Sequence, residues 1–235
     1  MEGFEIKNGW TLARIVTFSV DSGSFAEGGF RKAYKCESYD EKFPDMWVLK
    51  RYKEESVNGM KEEEHARKQV QMHTLAQNIA SQMTKNISEE FGETFTYDCM
   101  DFGKIKHDDE TEHFVTIGRY MEGEFTKYIN NNGDTTSTTE DTVTKKAEAL
   151  VHYSYQVSQG EFLLVDIQGT GYQLYDPEVA SKALTSNVGG DEQLNFSMGN
   201  MSTCAIDSFF ENHICIIYCN MLGLKEDDPK YYVSL

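Results

Sequence analysis

Near the end of the chain, His213-Ile214-Cys215-Ile216-Ile217-Tyr218-Cys219 brings one imidazole and two thiols close together. Imidazole and thiolate are donors that Zn²⁺ favours, and a structural site wants four of them in a tetrahedron. On a helix Cys215 and Cys219, four residues apart, would share one face, and His213 would join them from the preceding turn. A fourth donor must come from elsewhere. His152, on a segment of helical pattern expected to pack against the last helix, is the best-placed candidate. Free cysteine is also among the most buried residue types, so the same spacing equally describes ordinary core residues.

A second group is Leu164-Val165-Asp166-Ile167-Gln168-Gly169, followed by Tyr175-Asp176-Pro177. A carboxylate ending a buried strand, an amide two residues on and a second carboxylate ten on offer oxygens to Mg²⁺. One carboxylate would remain to orient an attacking hydroxyl, and phosphoryl transfer needs little more than these parts and a lysine. As bare spacing, Asp-x-Gln-Gly is more often a strand end and a turn. A third group is Gly28-Gly29 with Arg31, then Lys50 on a strand. Glycines admit phosphates to the backbone and a strand lysine neutralises them, although glycine pairs between strands are usually hairpin turns. Asp101-Phe102-Gly103 resembles the metal motif of ordinary protein kinases, but no His-Arg-Asp loop precedes it, and it reads as a strand end and turn.

The elements that must position these groups follow from the apolar pattern. Thr11 to Val20 and Met46 to Leu49 read as strands, the second entering Lys50. A helix is expected from about Glu54 to Glu90, with Val70, Leu75, Ile79 and Met83 at helical spacing. Strands follow at Thr94 to Asp101 and His113 to Met121, then a loop at Asn130 to Ser137. A second helix at Thr142 to Gln156, a strand at Phe162 to Val165, a loop at 181–196 and a helical segment at Ala205 to Asn220 complete the chain. The pattern predicts an α+β fold of two lobes: residues 1–122, mostly β with one long helix, and residues 123–235, mostly helical.

With 235 residues the chain can bury a sizeable core, and its 27 Phe and Tyr exclude wholesale disorder. A formal charge of −17 argues against a nucleic-acid binder and suits a cationic partner or mere solubility. There is no apolar run long enough to span a membrane, and no basic-then-apolar leader. Five cysteines, two of them near a histidine, favour metal over disulfides and a reducing, cytoplasmic setting.

In this order the segments resemble the alpha-kinase family, atypical kinases that include the myosin heavy chain kinase and elongation-factor-2 kinase catalytic domains. The resemblance runs from about Phe25 to Leu224. It is carried by Phe25 to Arg31, Val48 to Tyr52, Tyr120 to Tyr128, Val151 to Tyr155, Asp166-Ile167-Gln168-Gly169 with Asp176-Pro177, and Phe209 to Cys219.

The resemblance implies an ATP-dependent Ser/Thr kinase acting on a protein hydroxyl, foremost Thr, with ATP between two lobes. Asp166 would be catalytic, with Lys50 on the phosphates. Gly28, Gly29, Arg31, Tyr120, Met121 and Asn200 would help hold the nucleotide, and Gln168 and Asp176 would take Mg²⁺. His152, His213, Cys215 and Cys219 would ligate a structural Zn²⁺ in the C-terminal lobe, the resemblance supplying the fourth ligand. The implied partner is a protein substrate basic around its Thr or Ser. Three positions depart from the family: Ser197 and Ser202 stand for two loop glycines, Gly118 for a hinge glutamate, and no phosphothreonine-binding arginine lies between Gly133 and His152. The alternative reading is a zinc-stabilised pseudokinase or partner-binding module. A zinc hydrolase is disfavoured because four protein ligands leave no position for water.

Overall fold

The computed structural model of the chain describes residues 1–40, 43, 46–56, 61–106, 112–136, 141–188 and 191–225. It divides into two compact units, Met1–Leu75 with Asp98–Glu122, and Ala76–Tyr97 with the residues from Gly123 onward.

In the first unit β1 (Phe4–Glu5) pairs with β2 (Gly9–Trp10). An antiparallel sheet follows, built from β3 (Phe18–Val20), β4 (Ala26–Glu27), β5 (Arg31–Ser38) and β6 (Met46–Tyr52). Alternation on β6 buries Trp47 and Leu49 with Cys36 of β5. Helix α1 (Glu62–Asn86) comes next, and β7 (Thr96–Tyr97) then joins the second unit. The chain returns to the sheet with β8 (Met100–Lys106) and β9 (Glu112–Arg119), giving the order β3-β5-β6-β9-β8 with β4 also on β5.

Four expectations change here. The strand expected over Thr11 to Val20 is confined to β3, because Thr11 N and Arg14 N bond back to Gly3 O and Met1 O and no ladder forms. The long helix shortens to α1, with single 3₁₀ turns at Glu54–Ser56 and Glu89–Phe91, while 57–60 lie outside the described residues. Glu62, Glu63 and Glu64 in its first turn complement the helix dipole. The strand expected from Thr94 to Asp101 breaks where the Asp98 carboxylate accepts from Cys99 N at 2.7 Å. Asp101-Phe102-Gly103 lies inside β8 rather than at a turn, with Asp101 bound to Arg14 at 2.8 Å.

The second unit is mixed rather than helical. It contains β10 (Thr126–Lys127), α2 (Thr142–Val157), β11 (Phe162–Val165), β12 (Gln168–Thr170), β13 (Gln173–Leu174) and β14 (Glu178–Ser181). After these come β15 (Thr185–Val188), β16 (Asp191–Leu194), α3 (Ser202–Asn212) and α4 (Ile217–Met221). Asp141 caps α2 by accepting from Val143 N and Thr144 N, both at 3.3 Å. The α2 face of Ala147, Leu150 and Val151 is fully buried, as are Leu163, Leu164 and Val165 of β11, against which α2 packs.

One sheet runs β10-β12-β13-β7, and β11 pairs with β14. The loop expected at 181–196 is largely the β15–β16 hairpin, whose turn residues 189–190 lie outside the described residues. The loop from Asn130 is held by its own side chain, whose Oδ1 accepts from Asn132 N and Asp134 N at 2.9 Å each; Ser137 lies outside the described residues.

Candidate active site and metal centre

The single helix expected over Ala205 to Asn220 breaks at His213, whose ψ of 127° is extended, and resumes after Ile216 at ψ 177°. Cys215 therefore sits on a non-helical link and only Cys219 on α4. The break folds His213 and Cys215 back toward α2. His213 Nε2 lies 3.2 Å from His152 Nδ1 and 3.5 Å from Cys219 Sγ, and Cys215 Sγ lies 3.6 Å from His152 Nδ1. All four donor atoms fall within 4.8 Å of one another. Bonds of about 2.05 Å to nitrogen and about 2.3 Å to sulfur give tetrahedral edges of about 3.3 to 3.8 Å, so the set fits one tetrahedral cation.

Burial acts on the two enclosed donors, His152 and Cys219, in opposite senses. Burial, helped by His213, pushes His152 down to about 4, so its imidazole is neutral as a ligand must be. Burial, with Cys215 adding, pushes the Cys219 thiol up to about 12; a cation at the centre would reverse this preference. The Glu148 carboxylate lies 3.8 Å from the other ring nitrogen of His213, beyond hydrogen-bond distance.

The oxygen set lies in the same unit. Asp166 leaves β11 at φ 54° and Asp176 precedes β14 at φ 58°, left-handed conformations that side chains rarely adopt. Lys127 Nζ binds Asp166 Oδ1 at 2.8 Å, and Asp166 N donates to Asn130 O at 3.2 Å. Gln168 Nε2 donates to Asp176 O at 3.1 Å, leaving its Oε1 as the atom a cation could take. Oxygen donors of this kind are those that Mg²⁺ prefers. Glycine is required next to it, because a Cβ on Gly169 would lie 2.1 Å from Gln173 O across the β12–β13 pair. The buried Tyr97 phenol is held protonated by burial, with Asp166 adding.

In the first unit Gly28 N donates to Arg31 O at 2.9 Å, closing the glycine turn between β4 and β5. Lys50 stands opposite Ala33 on one side and Thr116 on the other. Arg31 Nη1 reaches Thr116 Oγ1 at 3.4 Å, so the two cations share a sheet face. Tyr120 N donates to Met46 O at 2.9 Å, its ring carries Lys35 Nζ at 4.4 Å, and half-buried Met121 follows it.

Asn200 Oδ1 accepts from Ser181 N and Ser202 N, and its Nδ2 donates to Ser181 Oγ and Asn195 O, so its side chain organises its own loop against β14. Lys127 was missed by sequence reasoning. Only the register that sets Lys127 opposite Gln168 brings that lysine to Asp166, and spacing along the chain carries no trace of it.

The sequence pattern of the alpha-kinase family matches residues 26–219. Alpha-protein kinase 1 of Dictyostelium discoideum is 27% identical over 233 residues, 97% of this chain and 15% of that protein. Human transient receptor potential cation channel subfamily M member 6 is 36% identical over 113 residues, 48% of this chain and 5% of the channel. The chain thus spans a small part of the length of these relatives. The crystal structure of the alpha-kinase domain of myosin-II heavy chain kinase A with AMP-PNP shares the fold, with a TM-score of 0.77 at 20% identity, covering 96% of this chain and 94% of that one. With the family pattern extending from the glycine turn through the last cluster cysteine, the chain belongs to the alpha-kinase family.

Proposed function

We propose that the chain is an ATP-dependent Ser/Thr protein kinase that moves the γ-phosphate of ATP to a protein hydroxyl, foremost Thr. The observation that carries this reading is the Asp166–Gln168–Asp176 set, with its ion pair to Lys127 and its two left-handed carboxylates. Structures of the myosin heavy chain kinase A domain with AMP-PNP and with ADP support the nucleotide.

Lys50 and Arg31 would neutralise the phosphates beside the Gly28-Gly29 turn, and the backbone at Tyr120 and Met121 would hold adenine. Asp166 orients the substrate hydroxyl and takes its proton as oxygen bonds to the γ-phosphorus and the bond to the ADP oxygen breaks. Mg²⁺, held by Gln168 and Asp176, would offset phosphate charge. Zn²⁺ at His152, His213, Cys215 and Cys219 would tie α2 to α3 and α4. The charge of −17 suits a substrate basic around its target. Two of the five cysteines stand with His152 and His213 in the donor cluster, which suits a reducing, cytoplasmic setting. Among the described residues no helix is long and apolar enough to cross a membrane.

A pseudokinase is the second reading, favoured by Ser202 holding φ 52° where the family has glycine. A timed transfer assay with Mg-ATP and a basic Thr peptide separates the two. A kinase should turn over at about 1–100 per second. Bound nucleotide with no transfer leaves the pseudokinase.

A further inference from the structure

Segment 195–202, where Ser197 and Ser202 replace the family's glycines, turns Ser197, Gly199 and Asn200 inward into a hydrogen-bonded network. Ser197 is 4% exposed; its hydroxyl donates to Glu178 Oε2 at 2.5 Å and accepts from Gly199 N at 2.9 Å. The approach is close enough that a Cβ on Gly199 would lie 2.4 Å from the same Glu178 oxygen. Asn200 grips the other end of β14, joining Ser181 through N at 3.1 Å and Oγ at 2.8 Å. Ser202 Oγ adds a bond to Ser181 O at 2.9 Å. The loop therefore holds β14 at both its first and its last residue.

The first of these anchor points matters most. Glu178 stands two residues after Asp176 and directly opposite Val165, the residue before Asp166. Pinning Glu178 thus fixes the backbone next to both left-handed carboxylates, whose conformation persists only where the surroundings over-determine it. We propose that Ser197 and Glu178 are a positioning pair whose hydrogen bond, shared with Gly199, holds Asp176 where it can take Mg²⁺. A glycine at position 197 would offer no side chain for this contact. The inference rests on the reading of Asp176 as a metal ligand.

The test uses Mn²⁺ as a spectroscopic stand-in for Mg²⁺, titrated into the whole chain with AMP-PNP and read by electron paramagnetic resonance. Ser197→Ala should weaken Mn²⁺ binding about tenfold, the scale of an outer-shell loss, while zinc content and binding of AMP-PNP alone stay as in wild type. Unchanged Mn²⁺ affinity in folded Ser197→Ala protein overturns the pair. Equal weakening of AMP-PNP binding without Mn²⁺ also overturns it, because that marks general loosening. Wild-type protein that binds no Mn²⁺ with nucleotide removes the metal site itself, and the proposal with it. Should Ser197→Ala not fold, Glu178→Gln carries the test: a neutral acceptor should weaken Mn²⁺ binding about threefold, and no change overturns the proposal.

Discussion

The second unit holds two donor clusters by opposite means. The His and Cys donors converge from α2, the end of α3, the link after it and α4, with His152 and Cys219 fully enclosed. Asp166 and Asp176 sit half-buried on left-handed backbone, with Lys127 on the Asp166 carboxylate and Gln168 donating to the Asp176 backbone carbonyl. A closed four-donor set leaves no position for a reactant, so its cation can only hold elements together. A half-open oxygen set can admit phosphates, and the strained conformations that aim it are the kind found at reacting centres. The same unit thus separates a cluster suited to holding it together from one that could do chemistry.

Removing the metal should expose that difference most strongly. Structural zinc sites contribute on the order of 10 kcal/mol to folding. Purified protein should carry about one Zn²⁺, and chelation or Cys215→Ala should lower the melting temperature by more than about 10 °C. Withdrawing Mg²⁺ alone should leave the melting temperature where it was. Well-folded protein without zinc, or a melt indifferent to chelation, would show that the His/Cys cluster is only packing.

Asp166→Asn should give the reverse signature. Asparagine tolerates the left-handed conformation, so the fold and the zinc content should stand, while transfer should fall by about 10³-fold. Near wild-type transfer would reduce Asp166 to a strand-end residue. Lys127→Met should act in the same direction but less, lowering transfer about tenfold to a hundredfold as Asp166 loses its ion pair. Its effect on stability should stay below about 1 kcal/mol, since the pair is partly exposed. A large drop in melting temperature with little loss of rate would make Lys127 a structural residue and blur the division.

How far these clusters were legible in the sequence depended on the range of the interactions behind them. β6 and β11 announce themselves by local apolar runs, and α2 by its apolar face. The four cluster residues could be named, but the apolar run Ala205 to Asn220 suggested an unbroken helix. Ile214 and Ile217 are in fact 77% and 61% exposed, so that run is not a core face, and the turn that brings His213 to His152 overrides local periodicity. The short strands β10 and β7 form only by pairing with the β12–β13 hairpin far along the chain, which no local window contains. Lys127 was hidden because it depends on register, and the Ser197–Glu178 contact because a loop brings together residues 19 apart.

The smallest predicted effect separates the metal cluster from ordinary buried histidine within one molecule. His65 on α1 is 7% exposed and lies against the Tyr52 ring, 6.4 Å between centroids. Burial lowers its pKa below the usual 6.5, with Lys68 adding and Glu64 opposing. A lowered folded value means that the unfolded chain binds the extra proton first. Stability should therefore be full above about 6.5 and decline as pH falls below it, by at most about 1.4 kcal/mol per unit. In zinc-loaded protein His152 is withheld from protons by its metal, so His65 should account for much of the loss between pH 7.5 and 5.5. Urea unfolding at those two values should show a decline in wild type and a flatter response in His65→Gln. Equal declines, with zinc released in parallel, would instead assign the acid sensitivity to the cluster and leave His65 a silent core residue.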